Sequence, residues 1–508
     1  MTDATGGGSR GFVDVHTSFG PEHGAAATAG SSLDALIIER RAHGIRLSLA
    51  SSLLAVSADG TTGNRLASEA AAAPDNGLAA IAVIGPRRTA DAARRVDEAE
   101  SSGVVGYRLD GWDGAAPPSE AVREVMAAVA RAGRPLMVAL ERSGAASVIG
   151  AATADLGIPV VLLGAHYAHI VDDLAAASRY PHLHLETSAM AHFRAIETAV
   201  RTIGAERILF GSGSPARGAA SPIGAVLAAA IPPEAKRAIL GANAVRLFDV
   251  ADGPIDLTIV PPPERAFDVH THLGPLDFDV PQVADDALLG ELLGMTIRAS
   301  VASAALAIFG DPERGNAQAA RSAASGHGDG LHAYVVADPT DLETTTEQLR
   351  RYLDGPGVLG VKVHGEWSGT PTASRAMTEL FDLLARFDRP VKIHNAGEGW
   401  DVALGEIARA HPRLPIVIAH GGLGAPSLEG ARLAASHDNV YLEFSSSFAR
   451  LATVRAAAAI AGPDRLLWGS DAPLLDPAFV FGTYLDAALP PEAADRIFWT
   501  NATDLFGL

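Results

Sequence analysis

The sequence predicts two tandem (β/α)8 barrels of the TIM type, and three observations predict them. One series of landmarks runs through the chain twice in the same order. Within each half, short β-branched apolar runs alternate with alanine-rich helical stretches, the pattern of buried parallel strands under helices. Each half offers about eight such units in roughly 250 residues, the size of a (β/α)8 barrel. An open doubly wound sheet is the alternative, but no glycine-rich phosphate turn follows the first strand.

The repeat opens with "GFVDVHTSFGP" (Gly11 to Pro21) and "AFDVHTHLGP" (Ala266 to Pro275). Gly63-Asn64 then matches Gly315-Asn316, and "GVVGYRLDGW" from Gly103 matches "GVLGVKVHGEW" from Gly357. "GRPLMVALERSG" ending at Gly144 answers "DRPVKIHNAGEG" ending at Gly399, and "HLHLETS" from His182 answers "NVYLEFS" from Asn439. "RILFGSGSP" ending at Pro215 answers "RLLWGSDAP" ending at Pro473. The offset hardly drifts between the His16/His270 pair and the Asn243/Asn501 pair, so few insertions separate the copies. Residues 1–10 are expected to form a disordered tail, 11–250 the first barrel, 251–263 a linker and 264–508 the second barrel. The linker ends in the triplet Pro261 to Pro263, which forbids a continuous helix or a central strand.

Composition narrows the function classes. The 508 residues are 48% hydrophobic and 19% charged, enough apolar material for two large cores. The net charge of −19 argues against nucleic acid and anionic membrane as partners, although a locally positive pocket is compatible with it. The absence of cysteine removes disulfides, thiolate metal sites and cysteine nucleophiles together. With no signal-like start and no long apolar run, a cytoplasmic protein is the expectation.

The apolar runs of the second half end at about His272, Ser303, Ala337, His364, His394, His420, Ser445 and Ser470. His270 and His272, two apart on a strand, face the same way, as do Lys362 and His364. His394, His420 and Asp471 arrive from three further strand ends, the side of a barrel where active sites are built. Any one of these residues alone reads as a packed or capping side chain. So many ionisable groups converging on one mouth would cost several kcal/mol unless something satisfies them, and a divalent cation does. Imidazoles and a carboxylate without sulfur suit zinc or another first-row metal, with Asp471 placed to accept and return a proton.

In this order the residues resemble the amidohydrolase superfamily of metal-dependent hydrolases. The phrases "FDVHTHLG", "GVKVH", "IHNAGEG", "IAHGG", "LLWGSDAP" and the terminal "NATDLFGL" are similar to its amidohydrolase-related branch, across Arg265 to Leu508. The resemblance implies that His270, His272, His394 and Asp471 hold a catalytic metal. In a one-metal site His420 orients water or substrate. In a two-metal site His420 is a ligand, and a carbamylated Lys362 bridges the ions. One zinc ion is the favoured expectation. His364, Glu366, Asn395, Glu398 and Trp400, on the loops after the fourth and fifth strands, are the substrate-binding candidates. Arg298 is a candidate for a substrate carboxylate, but its match to Arg46 points to a role shared by both copies.

The first half has lost most of this set. His16 matches His270, but His272 becomes Ser18, Lys362 becomes Arg108 and His364 becomes Asp110. His394 falls on Ala139, His420 on Gly164 with His166 two places on, and Asp471 on Gly213. Two imidazoles do not hold a catalytic zinc. The first barrel is therefore expected to be a degenerate copy that packs on the second, lends it a loop or binds a different small molecule. Hydrolysis of a C–N or ester-like bond of a small molecule is the leading expectation. Non-oxidative decarboxylation or hydration on the same ligands is the alternative, and a non-catalytic metal-binding protein is a third; each is compatible with a further homo-oligomer.

Overall fold

A computed structural model describes residues 11–20, 31–85, 92–257, 263–276, 296–325, 330–422, 427–447 and 451–508. The expected tail at 1–10 and the prolines 261 and 262 lie outside the described residues. The chain divides into two compact units, Met1–Val260 and Pro261–Leu508.

The first unit is an eight-stranded parallel sheet in sequential order, β1 (Phe12–Phe19), β2 (Ile45–Ser52), β3 (Leu78–Ile84), β4 (Gly106–Leu109), β5 (Leu136–Ala139), β6 (Val160–Leu163), β7 (Leu183–Glu186) and β8 (Ile208–Leu209). It closes on itself where Val15 N donates to Phe210 O at 2.9 Å and Ser18 N donates to Ser214 O at 2.8 Å. Val13, Val15, Leu49, Ile81, Met137, Val161, Leu209 and Phe248 fill its interior. Pro254 O accepts from Gly11 N and Ala251 O from Arg46, so the segment after this barrel is tied back to it.

The second unit has β9 (Ala266–Leu273), β10 (Ile297–Ala304), β11 (Leu331–Ala337), β12 (Val358–His364), β13 (Val391–His394), β14 (Ile416–Ile418) and β15 (Val440–Leu442), again parallel and sequential. The eighth run, predicted to end at Ser470, is not a full strand. It nevertheless occupies the eighth place: Leu467 N donates to Leu442 O at 2.9 Å, and Val269 N donates to Trp468 O at 3.1 Å. The architecture is two tandem (β/α)8 barrels.

The repeated landmarks are structural devices. Asn64 on the helix Gly60–Ala72 clamps Val83, its Nδ2 to the carbonyl at 3.0 Å and its Oδ1 from the amide at 2.8 Å. Asn316 clamps Val336 at the same two distances. The preceding glycines, Gly63 and Gly315, lie where a Cβ would stand 2.3 Å from the backbone nitrogens of Ala55 and Ala307. Asn243 and Asn501 each donate to two carbonyls at the entry to the eighth strand position. Helix Arg375–Leu384 starts at Ser374, whose Oγ accepts from Met377 N at 3.2 Å, and it buries Met377, Leu380, Phe381 and Leu384. Each such side chain contributes roughly 1.5–3 kcal/mol by leaving water.

Two sequence expectations are corrected. His420 does not end a strand: β14 stops at Ile418, and His420 stands on the following turn with a left-handed φ of 58°. Arg46 and Arg298 do not share a role, since Arg46 is buried and donates to Ala251 O at 2.7 Å whereas Arg298 is exposed.

Candidate metal centre

The site forms where β9 meets the eighth-strand turn. Asp471 N donates to His270 O at 2.7 Å, which fixes the Asp471 carboxylate against the tips of β9. Its Oδ1 then lies 3.0 Å from His272 Nε2 and 3.5 Å from His270 Nε2. His270, His272 and Asp471 are all buried, and their ligand atoms lie within 4.8 Å of one another. Asp471, like His420, has a left-handed backbone with φ of 64°. Two non-glycine residues held in this strained region at one mouth mark positions where a side chain is kept despite its backbone cost.

Hydrogen bonds set the tautomers. His420 Nδ1 lies 2.6 Å from the Ser445 carbonyl, which only accepts, so Nδ1 carries the proton and Nε2 keeps its lone pair. His270 Nδ1 is 2.8 Å from Glu443 Oε1 and 3.0 Å from Ser445 Oγ, which turns the lone pair of Nε2 towards Asp471. His272 Nδ1 is steadied by Ser303 Oγ at 3.1 Å, a contact the β9–β10 register sets up. A carboxylate behind an imidazole is the arrangement that orients metal-binding histidines.

Glu443 was not among the sequence candidates, yet it anchors the site. It is fully buried at the end of β15 and takes the His270 ring, His420 N at 3.2 Å, Ser445 N at 2.6 Å and Lys392 Nζ at 3.1 Å. His270, His420 and Glu443 also form a compact triple, but its carboxylate is already filled by donors and acts as a support. The signal for it lay in the repeat, because Glu443 matches Glu186. Glu186 is used in the same way: it accepts from Gly164 N and Ser188 N, each at 2.7 Å, and meets His16 Nδ1 at 3.2 Å. His16 is retained in the first barrel as the partner of this glutamate.

Burial dominates the electrostatics. It drives His270 well below its usual pKa, with Lys362 and Lys392 adding to the effect, and it lowers His272 against the pull of Asp471. Burial also works to raise Asp471, but the His272 hydrogen bond, His420 and Lys362 outweigh it and leave the carboxyl below its usual range. Neutral imidazoles beside an ionised carboxylate are a cation's donor set. Lys362 is buried with Nζ 3.1 Å from His270 Nε2, and burial together with Lys392 pushes its pKa down to about 7.

His394 stands beyond His420, with ring centroids 4.8 Å apart, and stacks on His364 at 4.1 Å. It belongs to neither compact triple. Its buried Nε2 meets the exposed carboxylate of Glu366 at 3.0 Å, so this nitrogen has a solvent-side partner that a cation would replace. The residues present therefore fit a divalent metal.

The loop candidates separate. His364 and Glu366 are gathered at His394. Asn395 is fully buried between Thr372 Oγ1 at 3.3 Å and Gly422 O at 3.4 Å, and the Trp400 ring lies against Gly422. Those two brace the turn that carries His420. Glu398 is exposed on its own turn. Among the described residues, the groupings able to hold an ion all belong to the second barrel. No helix among the described residues is long and apolar enough to cross a membrane.

A family model described as Amidohydrolase matches the chain twice, over residues 13–250 and 262–508. No curated protein matches the chain. Among solved structures it is similar to 2,6-dihydroxybenzoate decarboxylase from Rhizobium, at 18% identity and a TM-score of 0.39, over 48% of this chain and 98% of that one. It is also similar to a dihydroxybenzoic acid decarboxylase from Polaromonas sp. with bound manganese and 2-nitroresorcinol (17% identity, TM-score 0.38, 48% and 97% covered). For 5-carboxyvanillate decarboxylase from Sphingomonas paucimobilis the values are 15%, 0.38, 48% and 100%. With the family model spanning both barrels, the chain belongs to the amidohydrolase family and carries its domain twice.

Proposed function

We propose that the second barrel is a metal-dependent hydrolase that cleaves a C–N bond, amide or cyclic amide, or an ester-like bond of a small molecule. The observation that carries this reading is Asp471 Oδ1 at 3.0 Å from His272 Nε2 and 3.5 Å from His270 Nε2. His270, His272 and Asp471 would hold the ion, with Nε2 of His394, which meets the exposed Glu366 carboxylate at 3.0 Å, as the further ligand. Zinc suits these nitrogen and oxygen donors. One ion is favoured, because the Glu443 carboxylate is already saturated by donors.

Such a cation supplies Lewis acidity, acidifying water to a pKa near 7 and polarising a carbonyl. Asp471 accepts the water proton at its carboxylate and returns it to the leaving nitrogen or oxygen. His420, its Nδ1 committed to Ser445, presents Nε2 to orient water or the substrate oxygen. His364, Glu366 and the exposed Trp367 offer the outer contacts to substrate.

A second reading, non-oxidative decarboxylation or hydration, is favoured by the stacked pair His364 and His394 beside the exposed carboxylate of Glu366. That relay lies outside the compact ligand triples and suits delivery of a proton to carbon. A substrate panel separates the two, since release of amine or ammonia supports hydrolysis and release of carbon dioxide supports the second reading. Metal analysis of the purified chain is expected to give about one divalent ion, removable by a chelator with loss of turnover and restored by zinc. A chain that binds no ion overturns both. The first barrel is proposed to be inactive; turnover that survives in the full chain carrying D471A would overturn this.

A further inference from the structure

The mouth of the first barrel holds two guanidinium groups where the second barrel gathers ligands for a cation. Arg108 lies two residues after Gly106 on β4. A Cβ on Gly106 would meet Phe248 at 2.9 Å and Ile81 at 3.2 Å, both core residues, so Gly106 faces the interior and Arg108 does too. Arg108 takes the place of Lys362, whose amine reaches the first histidine of the second barrel.

Among the described residues the Arg108 side chain has no hydrogen bond and no ion pair. Asp110 and Glu186 act on it only at a distance. The oxygens of Glu186 are taken by Gly164 N, Ser188 N and Ser188 Oγ at 2.7 Å each, and by His16. Arg217 donates from Nη1 to Ser188 O at 3.3 Å, and its Cδ lies 3.5 Å from the Cβ that Gly213 would carry. Its stem therefore runs over the position where the Asp471 side chain begins in the second barrel, and its own match there is Leu475. The first barrel has thus lost a carboxylate and gained a guanidinium at one spot. His192, 1% exposed, leaves its Nδ1 without a hydrogen bond, and it acts with Arg217 on the buried His166.

We infer that this mouth binds a small oxyanion, a carboxylate or a phosphate group, held by Arg108 and Arg217. A guanidinium offers a planar fork of N–H donors that matches either group in two-point contact. The sunken guanidinium of Arg108, with no ion pair among the described residues, is also the kind of group that a bound anion satisfies. Burial pushes His166 down to about 3 and His192 to about 4, so both are neutral rings, and His166 stands within electrostatic reach of Arg217. The competing account has the two arginines merely balancing Glu186, with no ligand.

The test is calorimetric titration of the full-length chain with inorganic phosphate and, separately, with malonate, at constant ionic strength. The expected result is saturable binding of at least one anion, weakened at least tenfold in R108Q and in R217Q and changed less than twofold in H272A. Saturation by phosphate alone assigns a phosphoryl ligand, and saturation by malonate assigns a carboxylate. Absence of saturable binding by either anion overturns the inference, and so does binding that the arginine variants keep and H272A loses. Melting curves followed by circular dichroism check folding. Should R108Q not fold, R108K keeps the charge and the stem but not the fork and is expected to lose the same tenfold; unchanged affinity in R108K and R217Q overturns the inference.

Discussion

Lys392 and Glu443 form a fully buried pair 3.1 Å apart behind His270, and the first barrel keeps the carboxylate as Glu186 without the amine. There Met137 stands in the place of Lys392. Breaking a buried pair from one side leaves an uncompensated charge and costs about 3–5 kcal/mol, whereas apolar replacement of both partners is often neutral. K392M alone and E443Q alone are each expected to lower the urea midpoint markedly, and K392M/E443Q to recover most of the loss. E443Q is further expected to weaken metal binding by about 10–100-fold, as loss of a supporting carboxylate does. A double variant less stable than either single one would contradict the pairing. Asp471 and His420 are left-handed at φ of 64° and 58°, and their matches Gly213 and Gly164 keep φ of 71° and 84°. The backbone path survived while the side chains that strain it did not. The left-handed state costs a non-glycine residue about 1–2 kcal/mol. D471G is therefore expected to abolish turnover while the metal-free protein melts no lower than wild type; a melt several degrees lower would refute the strain argument.

At the level of elements, the two barrels share fastenings and differ in what the fastenings carry. Asn64 and Asn316 each close two hydrogen bonds to the third strand of their own barrel. N64A and N316A are each expected to cost about 1–3 kcal/mol, the penalty for stranding buried backbone groups. Equilibrium denaturation would reveal this as two similar shifts; one silent variant would mean that the landmark is not structural in that copy. The strand tips at His364 and His394 were legible because an apolar run ends there and a polar residue follows. His420 was misplaced because its turn is enforced from outside the run, by Glu443 accepting its amide and by Asn395 and Trp400 bracing Gly422. Glu443 itself was passed over: a lone glutamate after an apolar run reads as a surface residue until the barrel closes around it.

On the scale of the whole molecule, buried histidines decide the response to acid. In the first barrel burial pushes His166 to about 3, and His184 and His192 to about 4. As pH falls below 6.5 the unfolded chain protonates these rings and the folded one does not, so each costs roughly 1.4 kcal/mol of stability per pH unit. Burial raises Asp14 to about 7, so the folded chain holds a proton there that the unfolded chain gives up above pH 3.8. That group gains stability as pH falls from 7, opposing the histidines. Three outweigh one. The urea midpoint is expected to fall between pH 6.5 and pH 5, and to fall more steeply in D14N; a rise on acidification would contradict this balance.

The duplication, the barrel class and the meeting of His270, His272 and Asp471 at the second mouth were determined by the sequence, because strand period, repeat register and the order of polar residues at strand ends are local properties of the chain. Tertiary structure alone decided the rest. It supplied Glu443 as the anchor, Lys392 as its counter-charge, the place of His394 one ring away from the compact triple, and the bracing role of Asn395 and Trp400. Each depends on which atoms meet after residues distant in sequence are folded together. A hydrogen bond or an ion pair is worth what its partners and its burial make it, and neither is written in one stretch of chain.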